Sequence, residues 1–303
     1  MTQFDDDYPK NNQPLVPTEQ TNTSSDIKTS AEIYNHAIPG KEGQYPSEIV
    51  ELPSRGLVYP TNNPLSIGSI EMKYMTAREE DILTSQNLIQ KGVVFDKLLQ
   101  SLIITNINYN DLLIGDKNAL LVAARIMAYG KDYHAQTKCS SCGAVNDIII
   151  NLQEFDDKPI LDEWLNRDNR YDFELPNSKI KIAFKLLTVA DDRMIEQELK
   201  AMKKILDKSN ETGTKKKLEI DREFSTRLKY IITSVNGETD MKYIRDFVDN
   251  HMLSRDIFEL KKLLAKITPN IDMKYDFECS ECDFTERKRM VMTTEFFWPD
   301  SDI

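Results

Sequence analysis

The sequence predicts an α+β fold, in which a mainly helical body with short strands carries a discontinuous four-cysteine zinc ribbon built from two β-hairpins. Three observations support this class. Apolar residues recur at helical spacing over several segments. Short alternating runs between turn residues indicate strands. All four cysteines of the chain form two C-x-x-C pairs.

Composition shifts and turn signals divide the 303 residues into five segments. They are a disordered or partner-bound N-terminal arm (1–46), an N-terminal domain of strands and helices (47–132), a first zinc-ribbon hairpin (133–154), an inserted helical domain (155–270), and a second zinc-ribbon hairpin with an aromatic C-terminus (271–303). The arm has five prolines and few large apolar residues, so it cannot bury enough surface to offset its ordering entropy. It is either a disordered tail or an arm that orders on a partner.

The N-terminal domain begins with two predicted strands. Alternation and flanking turns place them near Ile49–Leu52 and Ile70–Met75. Thr76 and Glu79 follow at the spacing of a capping box, which predicts one helix that runs to about Lys91.

Apolar stripes at helical spacing continue through both helical segments. One stripe covers Phe95–Ile103, and Asp116 is placed to cap a further helix that Gly130 ends. In the inserted domain a stripe runs along a predicted helix over Phe224–Val235, and Ser254 is placed to cap the last helix.

One arrangement occurs twice. The strand at Ile70–Met75 runs into a threonine and an acidic helix start, and Ile180–Leu187 runs in the same way into Thr188 and Asp191. This repeated arrangement indicates either a remote duplication or a strand-to-helix junction that many proteins share. The common junction is the more ordinary explanation.

The cysteine pairs predict a structural zinc site formed by Cys139, Cys142, Cys279 and Cys282. A two-residue spacer lets both thiolates of a pair face one ion, and two such knuckles complete a tetrahedral site. The halves are 137 positions apart, where about 15–20 is usual between such pairs. The ribbon must therefore be split by the inserted domain.

Other uses of these cysteines fit less well. Thioredoxin-like redox chemistry needs one reactive pair at a strand-to-helix junction. Disulfides are disfavoured in a cytosolic chain, and catalytic zinc keeps an open position with histidine or carboxylate ligands. A metal-free ribbon is the remaining alternative. His134 lies close to the first knuckle in sequence, and we expect it on the hairpin surface.

Composition limits the possible functions. Lysine and arginine total 39 against 50 acidic residues, a net charge of −11, whereas nucleic-acid coats are normally basic. No phosphate loop, zinc-protease motif or nucleophile elbow occurs, so we expect no catalytic residues and no small-molecule substrate. No apolar run approaches the roughly 18 residues that span a bilayer, and the acidic N-terminus is unlike a signal peptide. We expect a soluble protein made in a cytosol.

Two further features leave alternatives open. Lys215–Lys217 and Arg287–Arg289 are basic clusters, which either keep the surface solvated or, because zinc ribbons often serve nucleic-acid machinery, contact nucleic acid. Near the C-terminus, Phe296–Trp298 supplies three consecutive aromatic residues. They either close over the ribbon as core, which we favour, or present a patch to a partner.

The sequence resembles the baseplate hub proteins of T-even-type tailed bacteriophages over roughly residues 48–300. The residues that carry the resemblance are the blocks Leu52–Pro60, Met75–Leu83, Asp111–Asp116, Ala124–Ile126 with Tyr129–Gly130, Cys139–Gly143, Ser254–Asp256, Pro269–Asp272 and Phe296–Pro299, together with the second cysteine knuckle.

This resemblance implies a structural or assembly protein of the hub of a contractile phage tail, with no catalytic activity. It implies other tail and baseplate hub proteins as partners, and a location in the virion tail or, during assembly, in the host cytoplasm. The alternative from another class is a zinc-ribbon phage protein that binds nucleic acid or serves transcription.

Overall fold

The computed structural model describes residues 46–212 and 222–297, all within one compact unit. The strands are β1 (Ser47–Glu51), β2 (Ser69–Lys73), β3 (Asp132–Lys138), β4 (Val145–Asn151), β5 (Asp156–Lys158), β6 (Tyr171–Glu174), β7 (Lys181–Phe184), β8 (Ile232–Val235), β9 (Asn270–Asp272), β10 (Lys274–Glu278) and β11 (Thr285–Arg289). The helices are α1 (Ala77–Thr84), α2 (Gln86–Lys91), α3 (Val94–Leu102), α4 (Ile114–Tyr129), α5 (Val189–Thr212), α6 (Glu223–Ile231), α7 (Met241–Asp246) and α8 (Ser254–Ile267). The N-terminal arm before Pro46, the cluster Lys215–Lys217 and Trp298 lie outside the described residues.

The strands form small antiparallel sheets among the helices. β1 pairs with β2, β3 with β4, and β10 with β11, each as neighbours along the chain. β6, β7 and β8 form a three-stranded sheet, and β5 pairs with the distant β9. The predicted mixture of helices and short strands is therefore confirmed.

The predicted capping box at the start of α1 is present. The amide and hydroxyl of Thr76 donate to Glu79 Oε2 at 3.0 and 2.6 Å. The predicted single helix to Lys91 is wrong, because the backbone leaves helical geometry at Ser85 and a second helix, α2, begins one residue later. The apolar periodicity is almost continuous across this break, so the pattern could not reveal it.

Asp116 has a different role from the predicted cap. α4 begins two residues earlier, and the fully buried Asp116 side chain faces the turn after β1. It accepts hydrogen bonds from the amide and hydroxyl of Ser54 at 2.9 and 2.7 Å, and from the Tyr59 hydroxyl at 2.5 Å. Burial raises the pKa of Asp116, and these donors act against that rise.

Two predictions in the inserted domain also need correction. The helix predicted over Phe224–Val235 ends at Ile231, and its last four residues form β8, which pairs with β7. The β-branched residues of this short segment suit a strand, and pairing with β7 outweighs the helical spacing. The last helix starts at Ser254 itself, with Leu253 in the capping position.

Two of the three C-terminal aromatic residues, Phe296 and Phe297, belong to the core, as predicted. Phe296 and Phe297 are buried, and their rings lie 5.5 Å from Tyr133 and 5.6 Å from Phe95, measured between centroids. Through Tyr133 they contact the base of the first cysteine hairpin, and through Phe95 they contact α3.

Candidate metal centre

The first cysteine knuckle is the tip of the β3–β4 hairpin. The Cys139 amide donates to the Ala144 carbonyl at 2.9 Å, and the Gly143 amide donates to the Cys139 carbonyl at 3.0 Å. Gly143 has φ of 77°, a left-handed conformation that glycine adopts without a steric penalty. These bonds turn the chain so that both thiols of the pair face the same side.

The second knuckle, at the tip of β10–β11, has the same backbone geometry. The Cys279 amide donates to the Phe284 carbonyl at 3.0 Å, and the Asp283 amide donates to the Cys279 carbonyl at 3.1 Å. Asp283 occupies the left-handed position, with φ of 52°. Aspartate tolerates this conformation better than most residues with a Cβ, which explains a knuckle without glycine.

The structure brings all four predicted cysteines together. Their sulfur atoms lie within 4.8 Å of one another, and two cross-hairpin distances are 3.7 Å, from Cys139 to Cys282 and from Cys142 to Cys279. A disulfide needs sulfurs about 2.05 Å apart, so all four are free thiols. The first cysteine of each pair is buried and the second is exposed. Such a cluster of four soft ligands can hold a metal ion.

Asn146 supports this cluster, and sequence reasoning missed it. Only 5% exposed, it donates from Nδ2 to the Cys279 sulfur at 3.6 Å, and its Oδ1 accepts from the amide and hydroxyl of Ser280 at 2.8 and 2.9 Å. It thus joins the first hairpin to the second knuckle. An asparagine at an inward-facing position of a strand next to a knuckle was the available signal.

Further polar contacts join the two hairpins. Ser140 donates to Glu286 Oε1 at 2.7 Å. Lys288 donates to Thr137 Oγ1 at 3.1 Å and also to the Lys138 carbonyl, and its ammonium lies 4.3 Å from the centroid of the Phe277 ring. The middle residue of the predicted basic cluster therefore serves contacts between the hairpins.

The local field favours the thiolate form of the first cysteine in each knuckle and opposes it at Cys282. There a backbone hydrogen bond from Phe284 lowers the pKa, but contact with the Cys142 thiol, burial and the other thiols outweigh it and raise the pKa to about 12. Backbone N–H groups, the Glu281 amide first, hold the pKa of Cys279 down to about 6 against the opposing effect of burial, and the Asn146 side chain adds to this lowering. Backbone hydrogen bonding also lowers the pKa of Cys139. The thiolate is the form that ligates metals.

His134 lies exposed on the outward face of β3, as we expected, and is not part of the cluster. Across residues 46–212 and 222–297, the cysteines are the one group of three or more Cys, His, Asp or Glu side chains arranged to hold a metal ion. In the same ranges no helix combines the length and the apolar character that crossing a membrane requires.

Comparison with models of known protein families shows which family the chain belongs to. Residues 51–298 match the family model described as T4 bacteriophage base plate protein. The match includes both cysteine knuckles and nearly all of the described fold, and the chain belongs to this family of phage baseplate proteins. Searches of curated proteins and of solved structures found no match. The resemblance noted in the sequence is confirmed at the level of the family.

Proposed function

We propose that the protein is a structural or assembly component of the central hub of a contractile phage-tail baseplate, and that zinc holds its two cysteine hairpins together. Family membership supports the baseplate role. The observation that carries the metal role is the convergence of four free thiols from two hairpins far apart in sequence.

The geometry suits zinc in a structural role. Zinc–thiolate bonds of about 2.3 Å in a tetrahedron place sulfur atoms roughly 3.8 Å apart, close to the cross-hairpin distances of 3.7 Å. Four cysteines complete the coordination, so no position remains for a substrate or an activated water. When bound, zinc would supply four strong bonds between segments that otherwise share a few polar contacts.

The surface charge supports protein partners over nucleic acid. The net charge is −11, and Lys288, the centre of the basic cluster Arg287–Arg289, contacts the other hairpin. The Arg287 Nε atom lies 3.8 Å from Asp276 Oδ1 of the paired strand, so an acidic side chain stands beside this arginine on the exposed surface. We therefore propose that the protein acts through contacts with other baseplate proteins and without catalysis.

Co-purification tests this function. The full chain, expressed with the neighbouring tail proteins of its phage, should enter a defined complex that native mass spectrometry can resolve. The alternative, a nucleic-acid-binding zinc ribbon, requires DNA binding that weakens steeply as salt rises. Salt-sensitive DNA binding in the absence of any complex with tail proteins would contradict the proposal.

A further inference from the structure

Two parts of the chain repeat one order of elements. Residues 47–151 contain a two-stranded hairpin, helices, a returning strand segment, the helix α4 and a cysteine hairpin. Residues 171–289 contain β6–β7, the helices α5 and α6, the strand β8, the helix α8 and a cysteine hairpin in the same order, with the short helix α7 added before α8 and the short strand β9 added after it. In both, the chain returning from the helices pairs antiparallel with the second strand, at Met72 with Ile103 and at Phe184 with Ile232.

The strand-to-helix junction that occurs twice in the sequence also has the same hydrogen bonds in both parts. In the first part the amide and hydroxyl of Thr76 donate to one carboxylate oxygen of Glu79. The other carboxylate oxygen accepts from Lys73 at 2.8 Å.

The second part has the same three contacts. The amide and hydroxyl of Thr188 donate to Asp191 Oδ2 at 3.1 and 3.0 Å, and Lys185 donates to Asp191 Oδ1 at 2.7 Å. A shared helix-capping junction explains the threonine and the acid. It does not explain why, in both parts, a lysine three residues before the threonine donates to the carboxylate oxygen that the threonine leaves free.

A second, independent anchor is repeated at the later helix. Asp116 is the third residue of α4, and Asp256 is the third residue of α8. Both are fully buried. Asp116 accepts from the Ser54 amide at 2.9 Å, and Asp256 accepts from the amides of Asn177 and Ser178 at 2.8 and 3.0 Å. Each carboxylate therefore holds the turn of its own hairpin against its own helix.

The contacts between the cysteine knuckles have the pattern that a local two-fold axis requires. Exchanging the parts converts the contact of Cys139 with Cys282 into that of Cys279 with Cys142, and both distances are 3.7 Å. A rotation of 180° exchanges two such contacts and keeps their lengths equal. An axis that relates the two parts in this way would pass through the cysteine cluster.

The polar contacts around the cluster obey the same exchange. Ser280 donates to Asn146, and Ser140 donates to Glu286 at the corresponding positions of the opposite hairpins. The symmetry is broken in two respects. Lys288 donates to Thr137 and to the Lys138 carbonyl, whereas Ile148 at the corresponding position of the first hairpin has no polar side-chain group. Asn146 can donate to the Cys279 sulfur, whereas a carboxylate at Glu286 can only accept.

We infer that the chain is an internal duplication of one structural unit, and that the metal is the clasp between the two copies at their two-fold axis. The clasp rests on the proposed metal site, whereas the duplication also rests on the threonine junctions and the aspartate anchors, which contain no cysteine. Each knuckle is closed by its own backbone hydrogen bonds. Metal loss should therefore part the knuckles and leave each copy folded.

A second set of contacts, which does not involve the metal, joins the two copies. The Val189 amide donates to the Leu112 carbonyl at 2.8 Å, and the Ile114 amide donates to the Leu187 carbonyl at 3.2 Å. Opening at the knuckles should therefore remain local.

Hydrogen exchange of the full chain, with and without a zinc chelator, tests the clasp. Peptides covering 139–151 and 274–289 should exchange at least tenfold faster after chelation, and to a similar extent. Peptides covering 52–58 and 175–182, where the aspartate-anchored turns lie, should keep their rates. A rise in all four regions, or in one hairpin alone, would overturn the clasp.

Paired variants test, without metal, the two aspartate anchors on which the duplication rests. Asp116→Asn should accelerate exchange in the turn at 52–58, and Asp256→Asn in the turn at 175–182, each without effect on the other. Effects that fail to follow this pairing, in protein that stays folded by circular dichroism, would contradict the duplication. Protein that contains no metal as purified would instead refute the proposed zinc site and the clasp, and the paired variants would still test the anchors of the duplication.

Discussion

Arg125 in α4 donates a hydrogen bond from Nε to the backbone carbonyl of Phe296, 3.0 Å away, although 171 positions separate the two residues. The guanidinium is 1% exposed, also donates to the Gly130 carbonyl at 3.3 Å, and lies 4.8 Å from the centroid of the Tyr129 ring. Burial lowers the pKa of Arg125, and an arginine remains charged at neutral pH. This side chain holds the C-terminal aromatic segment in the core.

Arg125→Met should destabilise the protein by about 2–4 kcal/mol, because the buried Phe296 carbonyl and the more exposed Gly130 carbonyl lose a charged donor while the apolar volume is largely kept. The change is measured as a shift in the urea midpoint. Arg167→Met serves as the control, since Arg167 is exposed, and should change stability by less than about 0.5 kcal/mol. Equal effects of the two substitutions would show that the contact with Phe296 does not contribute to the free energy of unfolding.

Protein purified without added metal should contain about one zinc per chain. Cys279→Ser should lose that zinc and lower the thermal midpoint, because binding at a structural site is coupled to folding. Ser141→Ala, a change within the first knuckle but outside the ligand set, should keep both. Full zinc content in the Cys279→Ser variant would rule out the four-cysteine site.

Asn146→Ala should weaken zinc binding by about 10–100-fold, because removing a residue that hydrogen-bonds to a metal ligand, without itself binding the metal, has effects of this size. Competition with a chromogenic chelator measures the affinity. His134→Ala, on the outward face of the same hairpin, is the matched control and should leave the affinity unchanged. An unchanged affinity in Asn146→Ala would reduce the contact with Cys279 to a packing role.

Ionisation of Glu79 should make the free energy of unfolding depend on pH in the acid range. Burial favours its neutral form, but hydrogen bonds from Lys73, Ser101 and Thr76 outweigh that effect and lower the pKa to about 2, from 4.5. Because the pKa is depressed in the folded state, the contribution is fully present above about pH 4.5 and is lost as pH falls toward 2.

Glu79→Gln should therefore cost about 3 kcal/mol at pH 7, and the difference from the parent should shrink between pH 4.5 and 2. Urea unfolding at several pH values follows this change. Asp81→Asn, at an exposed position of α1, should show little difference at any pH. A constant difference between Glu79→Gln and the parent over this range would show that ionisation of Glu79 does not contribute.

Much of the local structure could be read from residue patterns. The Thr76–Glu79 capping box, the β1 and β2 strands, and the pairing of knuckle-flanking strands depend on residues close together in sequence, where spacing determines which groups meet. The failures had different causes. Ile232–Val235 forms a strand because pairing with β7 outweighs the local helical spacing. The break at Ser85 leaves no mark in the apolar periodicity, and α4 and α8 begin before or at the residues expected to cap them.

The sequence by itself determined which four side chains form the cysteine cluster, since all four cysteines occur in two equal pairs. It also determined the family, through blocks of residues that need no structure to recognise. Only the tertiary structure decided what surrounds and relates those residues. Asn146, the buried acids Asp116 and Asp256, and the two-fold exchange of the knuckles all depend on contacts between segments far apart in the chain. No local spacing encodes such contacts, because they exist only once the packing of helices and hairpins has brought the segments together.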